Sequence, residues 1–214
     1  AEPPLVNINY SYTNPTCIGY NNGTIDLSPS SGTPPYMFNW STSDTTEDIT
    51  NLIQGVYSVT VSDSAGCNAI STITLVDPLP PTIATNSFPI SCYDGNNGSI
   101  DLSISGGTGP FSFLWNNTDT TEDISNLIIG IYSYTITDAL GCTFTDTVSV
   151  NQPSPIYVND SITNVSCAGG NNGVAILNVS GGITPYSENW GINNPLSLNA
   201  GTHQFIVTDN NGCN

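Results

Sequence analysis

Lysine and arginine are absent from all 214 residues, and the one histidine, His203, is the only other basic side chain. Against it stand 17 acidic residues, for a formal net charge of −17. Ion pairing is therefore closed to nearly every carboxylate, which must instead use backbone N–H groups, hydroxyls, water or a metal cation. Nucleic acid and anionic membrane surfaces both recruit basic patches, so both are disfavoured as partners. Trypsin-like proteases have no cleavage site. Charged residues make up 8% of the chain, where an average chain carries about 25%. No apolar run is long enough to insert in a membrane as a helix, and no signal-peptide pattern opens the chain. A chain destined for export should have carried one, so the sequence reads as mature or excised. Also missing are an amphipathic helical period, a phosphate-cradling glycine loop, a cysteine–histidine or serine–histidine dyad and a cluster of histidines. No Cys-x-x-Cys pair exists to hold zinc. Nothing in the sequence forms an enzyme active site.

What is present repeats. Trp40, Trp115 and Trp190 are evenly spaced, as are Cys17, Cys92 and Cys167. A second cysteine set, Cys67, Cys142 and Cys213, follows the same period except that the last interval is four residues shorter. Asn21-Asn-Gly23, Asn96-Asn-Gly98 and Asn171-Asn-Gly173 recur in step. Such self-similarity marks tandem domains. We divide the chain into residues 1–76, 77–151 and 152–214, with the boundaries in the proline-rich stretches Asp77–Pro81 and Gln152–Pro155. Such stretches act as short semi-rigid spacers. The third copy has lost a loop after Trp190 and lacks the strand that follows the second cysteine in the other two. Either the sequence is an excerpt of a longer array, or a partner supplies the strand by β-augmentation.

Two cysteines per repeat imply an oxidising, extracellular setting. Repeat symmetry selects Cys17–Cys67, Cys92–Cys142 and Cys167–Cys213 as the expected disulfides, one within each domain. A closed loop of this length is worth roughly 3–4 kcal/mol in the chain-entropy model, useful to a domain whose own core is small. In the second copy, Ile100, Leu102 and Ile104 alternate with polar residues. Phe111, Phe113 and Trp115 do the same, as do Tyr132, Tyr134 and Ile136. This period of two, bounded by Gly, Pro, Asn and Asp, predicts short half-buried strands. The expected fold is all-β: a tandem array of three small immunoglobulin-like β-sandwiches. Asp138-Ala-Leu-Gly-Cys142 reads as a hairpin turn. The tryptophans are in phase with the core, and His203 takes the place of Tyr57 and Tyr132.

Copy three departs from its sisters. Val174 and Ile176 replace Thr24/Ser99 and Asp26/Asp101, turning a polar face apolar. Glu188 stands where Phe38 and Phe113 stand. A carboxylate at a core position is costly without a partner, so Glu188 is expected at an interface or in solvent. Val174, Ile176 and Glu188 are the candidate assembly contacts.

The run Cys-x-Gly-x-Asn-Asn-Gly resembles part of the SprB-type repeat. So do Gly-Gly-Thr-x-Pro with Phe/Tyr-x-Phe-x-Trp after it, Thr-Thr-Glu-Asp-Ile-x-Asn-Leu-x-x-Gly-x-Tyr, and Thr-Asp-x-x-Gly-Cys. They fall at Cys92–Gly98, with Asp94 in place of the first glycine of Cys17–Gly23 and Cys167–Gly173, and at Gly106–Trp115, Thr120–Tyr132 and Thr137–Cys142. The resemblance spans copies one and two, and copy three apart from the Thr-Thr-Glu-Asp-Ile block and last strand. It implies a large cell-surface adhesin of Bacteroidetes-like bacteria, gliding-motility adhesins among them, and hence a non-enzymatic stalk or filament segment outside the cell. At roughly 30 Å per sandwich, three repeats in line would span roughly 90–100 Å. The implied partners are further repeats of the same or neighbouring chains and an unidentified surface glycan or protein.

The alternative is a glycan- or protein-binding module stabilised by calcium. No cofactor is otherwise expected. The best acidic clusters for a metal are Asp44, Glu47 and Asp48, and their counterparts Asp119, Glu122 and Asp123. Asp-Ser/Thr followed by a small apolar residue or Thr resembles the Bacteroidetes O-glycosylation pattern. It marks Thr45, Ser64, Thr120, Thr147 and Ser161 as candidates.

Overall fold

The computed structural model describes residues 5–214 and, among them, contains only strands and turns. Repeat 1 has six strands: β1 (Asn7–Thr13), β2 (Gly23–Ser30), β3 (Met37–Trp40), β4 (Ile49–Leu52), β5 (Gly55–Ser62) and β6 (Asn68–Leu75). They form two antiparallel sheets, ordered β1-β2-β4 and β3-β5-β6. Lettered in the immunoglobulin manner these are A-B-E and C-F-G, the constant-type sandwich without its D strand. Repeat 2 copies the arrangement with β7 (Thr82–Phe88), β8 (Gly98–Ser105), β9 (Ser112–Trp115), β10 (Ile124–Leu127), β11 (Gly130–Thr137) and β12 (Thr143–Val150). Its sheets are β10-β8-β7 and β12-β11-β9.

Alternation in the sequence becomes alternation of burial. Along β5, Tyr57, Val59 and Val61 are buried and the residues between them are not. With Ile25, Leu27, Trp40, Ile73 and Leu75 they close the core of repeat 1. Each fully buried aliphatic side chain contributes about 1.5–3 kcal/mol. In repeat 2 the Trp115 ring meets Tyr134 edge-on at 5.2 Å. Tyr57 and Tyr132, near the start of strand F, donate their hydroxyls to the carbonyls of Ile53 (2.8 Å) and Ile128 (3.0 Å). This ties the E–F corner as the tyrosine corner does in immunoglobulin domains. Just before it, Asn51 (φ 60°) and Asn126 (φ 58°) take the left-handed conformation, which asparagine tolerates better than most residues.

Repeat 3 is a reduced version, with β13 (Tyr157–Thr163) on β14 (Val174–Ser180) and β15 (Ser187–Asn189) on β16 (Ile206–Thr208). Strand E survives as a single bridge, Gly173 to Leu198. Ala175, Trp190 and Leu198, with Leu177 and Phe205 against them, make a smaller core.

The compact units of the chain do not follow the repeats. One comprises Ala1–Ile83, Ile104–Ser112 and Ile136–Phe144; the other comprises Ala84–Ser103, Phe113–Thr135 and Thr145–Asn214. Each unit therefore takes one end of repeat 2.

The expected disulfide within each domain is not formed. Cys17 bonds to Cys142 and Cys92 to Cys213, and Cys67 and Cys167 are free thiols. The reason lies in the strand registers. Gly23 pairs with Leu52 at the end of β4, and β5 begins three residues later. The A–B loop carrying Cys17 therefore lies at the end of the sandwich where β5 starts. Cys67 sits in the turn where β5 ends. Eight residues of strand separate them, roughly 25 Å, whereas bridged cysteines have Cα atoms about 5.5–6 Å apart. Repeat symmetry requires the pairing to recur, and it recurs equally well from one repeat to the next.

Candidate functional site

The site that the fold builds is the joint between consecutive repeats. Its first half is the A–B loop. The residue before the first cysteine is latched by the second asparagine of Asn-Asn-Gly. Asn22 Oδ1 accepts from Thr16 N at 3.0 Å, Asn97 Oδ1 from Ser91 N at 3.0 Å, and Asn172 Oδ1 from Ser166 N at 3.1 Å. The asparagine Nδ2 donates back to the Oγ of the same Thr or Ser. The cysteine carbonyl accepts the N–H three residues on, from Tyr20, Gly95 and Gly170, at 3.0–3.1 Å. The glycine that follows allows no side chain: a Cβ on Gly98 would lie 2.6 Å from Val150 and 3.0 Å from the Leu127 carbonyl.

The second half is the F–G hairpin turn Asp-x-x-Gly-Cys. Asp63 Oδ1 accepts from Ala65 N (3.0 Å) and Cys67 N (2.8 Å), and its Oδ2 accepts from Thr33 N (2.9 Å). Asp209 makes the same three bonds, to Asn211, Cys213 and Ile183, each at 2.9 Å. Asp138 takes Leu140 N and Cys142 N at 2.9 Å. Asp63 is 1% exposed and Asp209 5%. Both carboxyls are held below the usual carboxylate range by backbone N–H donors, Thr33 foremost for Asp63 and Cys213 for Asp209. In a chain without lysine or arginine, the backbone supplies the positive partners.

The halves meet with Cα–Cα distances of 5.5 Å for Cys17–Cys142 and 5.6 Å for Cys92–Cys213. The Sγ of Cys142 lies 3.2 Å from the Thr16 carbonyl oxygen, and that of Cys213 lies 3.3 Å from Ser91 O. Ser91 O also accepts from Asn211 Nδ2 at 2.9 Å. The spacer joins in: Gly19 N donates to Asp77 Oδ2 at 3.0 Å, and Asp94 N to Gln152 Oε1 at 2.9 Å. None of these residues stands out as a site in the sequence, although the latch asparagines Asn22, Asn97 and Asn172 and the turn aspartates Asp63, Asp138 and Asp209 recur from repeat to repeat.

The acidic block after the tryptophan is hydrogen-bonded to the sandwich beside it. The carbonyls of Thr46 and Thr121 accept the indole N–H of Trp40 (2.9 Å) and Trp115 (3.0 Å). Asp48 and Asp123 accept from Leu27 N and Leu102 N. Asp44 accepts from Thr42 Oγ1, and Asp119 from Thr120 N and Thr121 Oγ1. Glu47 and Glu122 are exposed. Among the described residues no three metal-binding side chains gather. Thr45, Ser64, Thr120, Thr147 and Ser161 are all exposed, and Ser64 Oγ donates to the Thr33 carbonyl at 2.8 Å.

In repeat 3, which lacks the block, Glu188 Oε2 accepts the Trp190 indole N–H at 3.0 Å. Glu188 is exposed and pairs with Val207 across the sheet. It does from the strand what a loop carbonyl does in the other repeats. His203 Nε2 lies 3.0 Å from Asn199 O, repeating the tyrosine-corner contact. Val174 is half-buried and Ile176 exposed. A cleft of about 500 Å³ opens on this repeat, over Ala175, Leu177, Trp190 and Phe205.

These features define a class: a tandem array of immunoglobulin-like β-sandwiches in which each disulfide fastens one repeat to the next. The SprB repeat family matches residues 9–45, 84–120 and 159–190. The chain is a SprB-type repeat protein. No curated protein matches it in sequence. Among solved structures, the N-terminal eight Ig domains of Down Syndrome Cell Adhesion Molecule isoform 1.30.30 align over 70% of this chain. The identity is 13% and the TM-score 0.34, and the chain spans only 25% of that structure. DIP-gamma IG1+IG2 aligns over 70% of the chain and 98% of its own length at 11% identity and TM-score 0.33. Domains 4–9 of the surface layer protein SbsC align over 96% of the chain and 43% of their own length at 15% identity and TM-score 0.29.

Proposed function

We propose that the chain is a non-enzymatic, extracellular structural segment, part of the stalk of a large cell-surface adhesin. One observation carries the reading: its two disulfides join consecutive repeats, Cys17 to Cys142 and Cys92 to Cys213. A bond inside each sandwich would protect that sandwich alone. A bond from one repeat to the next fastens the junction, where a tandem array under tension is otherwise held by a short linker. Disulfides persist in oxidising compartments, which supports a location outside the cell. Family membership supports the adhesin context and, more finely, a role in gliding motility. O-glycans on Thr45, Ser64, Thr120, Thr147 or Ser161, all exposed, fit the same setting, and intact mass of native material tests for them.

The buried acids that an enzyme might have used, Asp63 and Asp209, are occupied by backbone N–H groups. Small-angle scattering of the oxidised protein tests the stalk. Three sandwiches of roughly 30 Å should give an elongated particle with a maximum dimension near the sum of their lengths. A compact globule would overturn the reading.

A further inference from the structure

Tension along a tandem array ordinarily enters each domain through its first strand and leaves through its last. In this chain the first strand is poorly anchored. Strand A of the three repeats (β1, β7 and β13) has no buried residue. In repeats 1 and 2 it is an edge strand, held in its sheet by the single ladder to strand B. An edge strand pulled by its end loads that ladder alone and meets little resistance from the core.

The bonded cysteines of repeat 2 sit elsewhere. Cys92 lies in the loop between β7 and β8, and Cys142 in the turn between β11 and β12. β8 and β11 are the central strands of the two sheets of this repeat. Ile100 and Leu102 are buried on β8, and Tyr132, Tyr134 and Ile136 on β11. Drawing Cys92 and Cys142 apart therefore pulls on strands that carry the core, each flanked by hydrogen-bonded neighbours on both sides. The two disulfides, Cys17–Cys142 and Cys92–Cys213, grip repeat 2 at these two points.

We propose that the two disulfides take tension off strand A and deliver it to the core strands of repeat 2, which becomes the load-bearing element between Cys17 and Cys213. Tension arriving at Cys17 crosses to Cys142, runs through repeat 2 to Cys92 and leaves by Cys213. The segments Cys17–Cys92 and Cys142–Cys213 run in parallel with this path and take up load only once repeat 2 gives way. The same bonds cap the extension. However far the strands unravel, the two joints cannot separate by more than the roughly 50 residues from Cys92 to Cys142, about 165–180 Å of extended chain. Cys17 and Cys142 are 3% and 6% exposed, which shields the first bond from reductants. The use of such a device rests on the stalk reading, whereas the load path rests on the bonds and the strand order. A compact particle in scattering would remove the stalk and leave the load path standing.

The test stretches single molecules of the 214-residue protein in an optical trap, between handles fused to both ends. Cys67 and Cys167 are alkylated first, so that thiol exchange cannot rearrange the bonds. Oxidised protein should stop lengthening near 70 residues of chain, roughly 230–250 Å, and reduced protein near roughly 700–770 Å. After the early release of β1, oxidised protein should open at a higher force than reduced protein, in which the linkers pull on exposed edge strands. Cys17→Ser should raise the oxidised limit by about 25 residues, because tension then runs through residues 1–92 before crossing to Cys213. A melting curve checks that this variant folds, and reduced wild type gives the force comparison without any substitution. Oxidised protein that opens at the same force as reduced protein, or at a lower one, would overturn the proposal. So would an oxidised limit as long as the reduced one. A rise of about 50 residues in Cys17→Ser would place the bonds within the repeats and overturn it as well.

Discussion

Glu188→Ala removes the acceptor of the Trp190 indole N–H without touching the core around it. In repeats 1 and 2 that N–H reaches a loop carbonyl, Thr46 O or Thr121 O. Repeat 3 has lost the loop, and Glu188 Oε2 takes over at 3.0 Å. Leaving a buried donor unpaired costs about 1–3 kcal/mol. Trp190 is buried but Glu188 is exposed, so water reaches the site and the loss should fall near the lower end, about 1 kcal/mol. Glu188→Gln keeps an acceptor oxygen and should lose less than half of that; it also removes the same charge as the alanine variant, separating charge from hydrogen bonding. Trp190→Phe deletes the donor, and the double variant completes a cycle with a coupling near 1 kcal/mol. The readout is hydrogen exchange of peptides covering β16, where a loss of about 1 kcal/mol speeds exchange about fivefold. Equal effects of Ala and Gln, or a coupling near zero, would refute the substitution of side chain for loop.

Two further predictions follow from the joint. The Asp63 and Asp209 carboxyls have lowered folded-state pKa values. Their contribution is therefore present above the unfolded pKa, about 3.9, and is lost as pH falls through the folded value. Global charge relief acts in the opposite direction, so the comparison is between variants: Asp63→Asn should lower the melting temperature at neutral pH and narrow the gap to wild type at pH 2–3, measured by calorimetry. Gly98→Ala drives a Cβ to 2.6 Å from Val150 and 3.0 Å from a backbone oxygen. Overpacking costs about 1–3 kcal/mol, offset by about 0.4–1 from the less flexible unfolded chain. A fall of several degrees in the melting of repeat 2 is expected; a rise would show that the strands separate freely there.

Strand content and sandwich class were legible because burial follows a period of two along strands such as β5 and β11, as Tyr57, Val59 and Val61 show. Tryptophan as core and His203 as a tyrosine substitute followed from their phase with the repeat. The disulfide partners were not legible from symmetry, because a bond within a repeat and a bond to the next recur with the same period. The strand register decides, by placing Cys17 and Cys67 at opposite ends of one sandwich. The acidic block after the tryptophan suggested a cation because carboxylates without lysine or arginine lack obvious partners. Two of them, Asp48 and Asp123, accept from backbone N–H groups, Leu27 N and Leu102 N, which have no letter in the sequence. Glu188 was legible as a departure, but its bond to Trp190 depends on a loop that repeat 3 does not have.

Non-reducing peptide mapping of the monomeric protein tests the central claim most directly, using a protease that cuts at acidic or aromatic residues. Cross-linked peptides pairing Cys17 with Cys142 and Cys92 with Cys213 are expected, with alkylated thiols at Cys67 and Cys167. Peptides pairing Cys17 with Cys67, or Cys92 with Cys142, would contradict it.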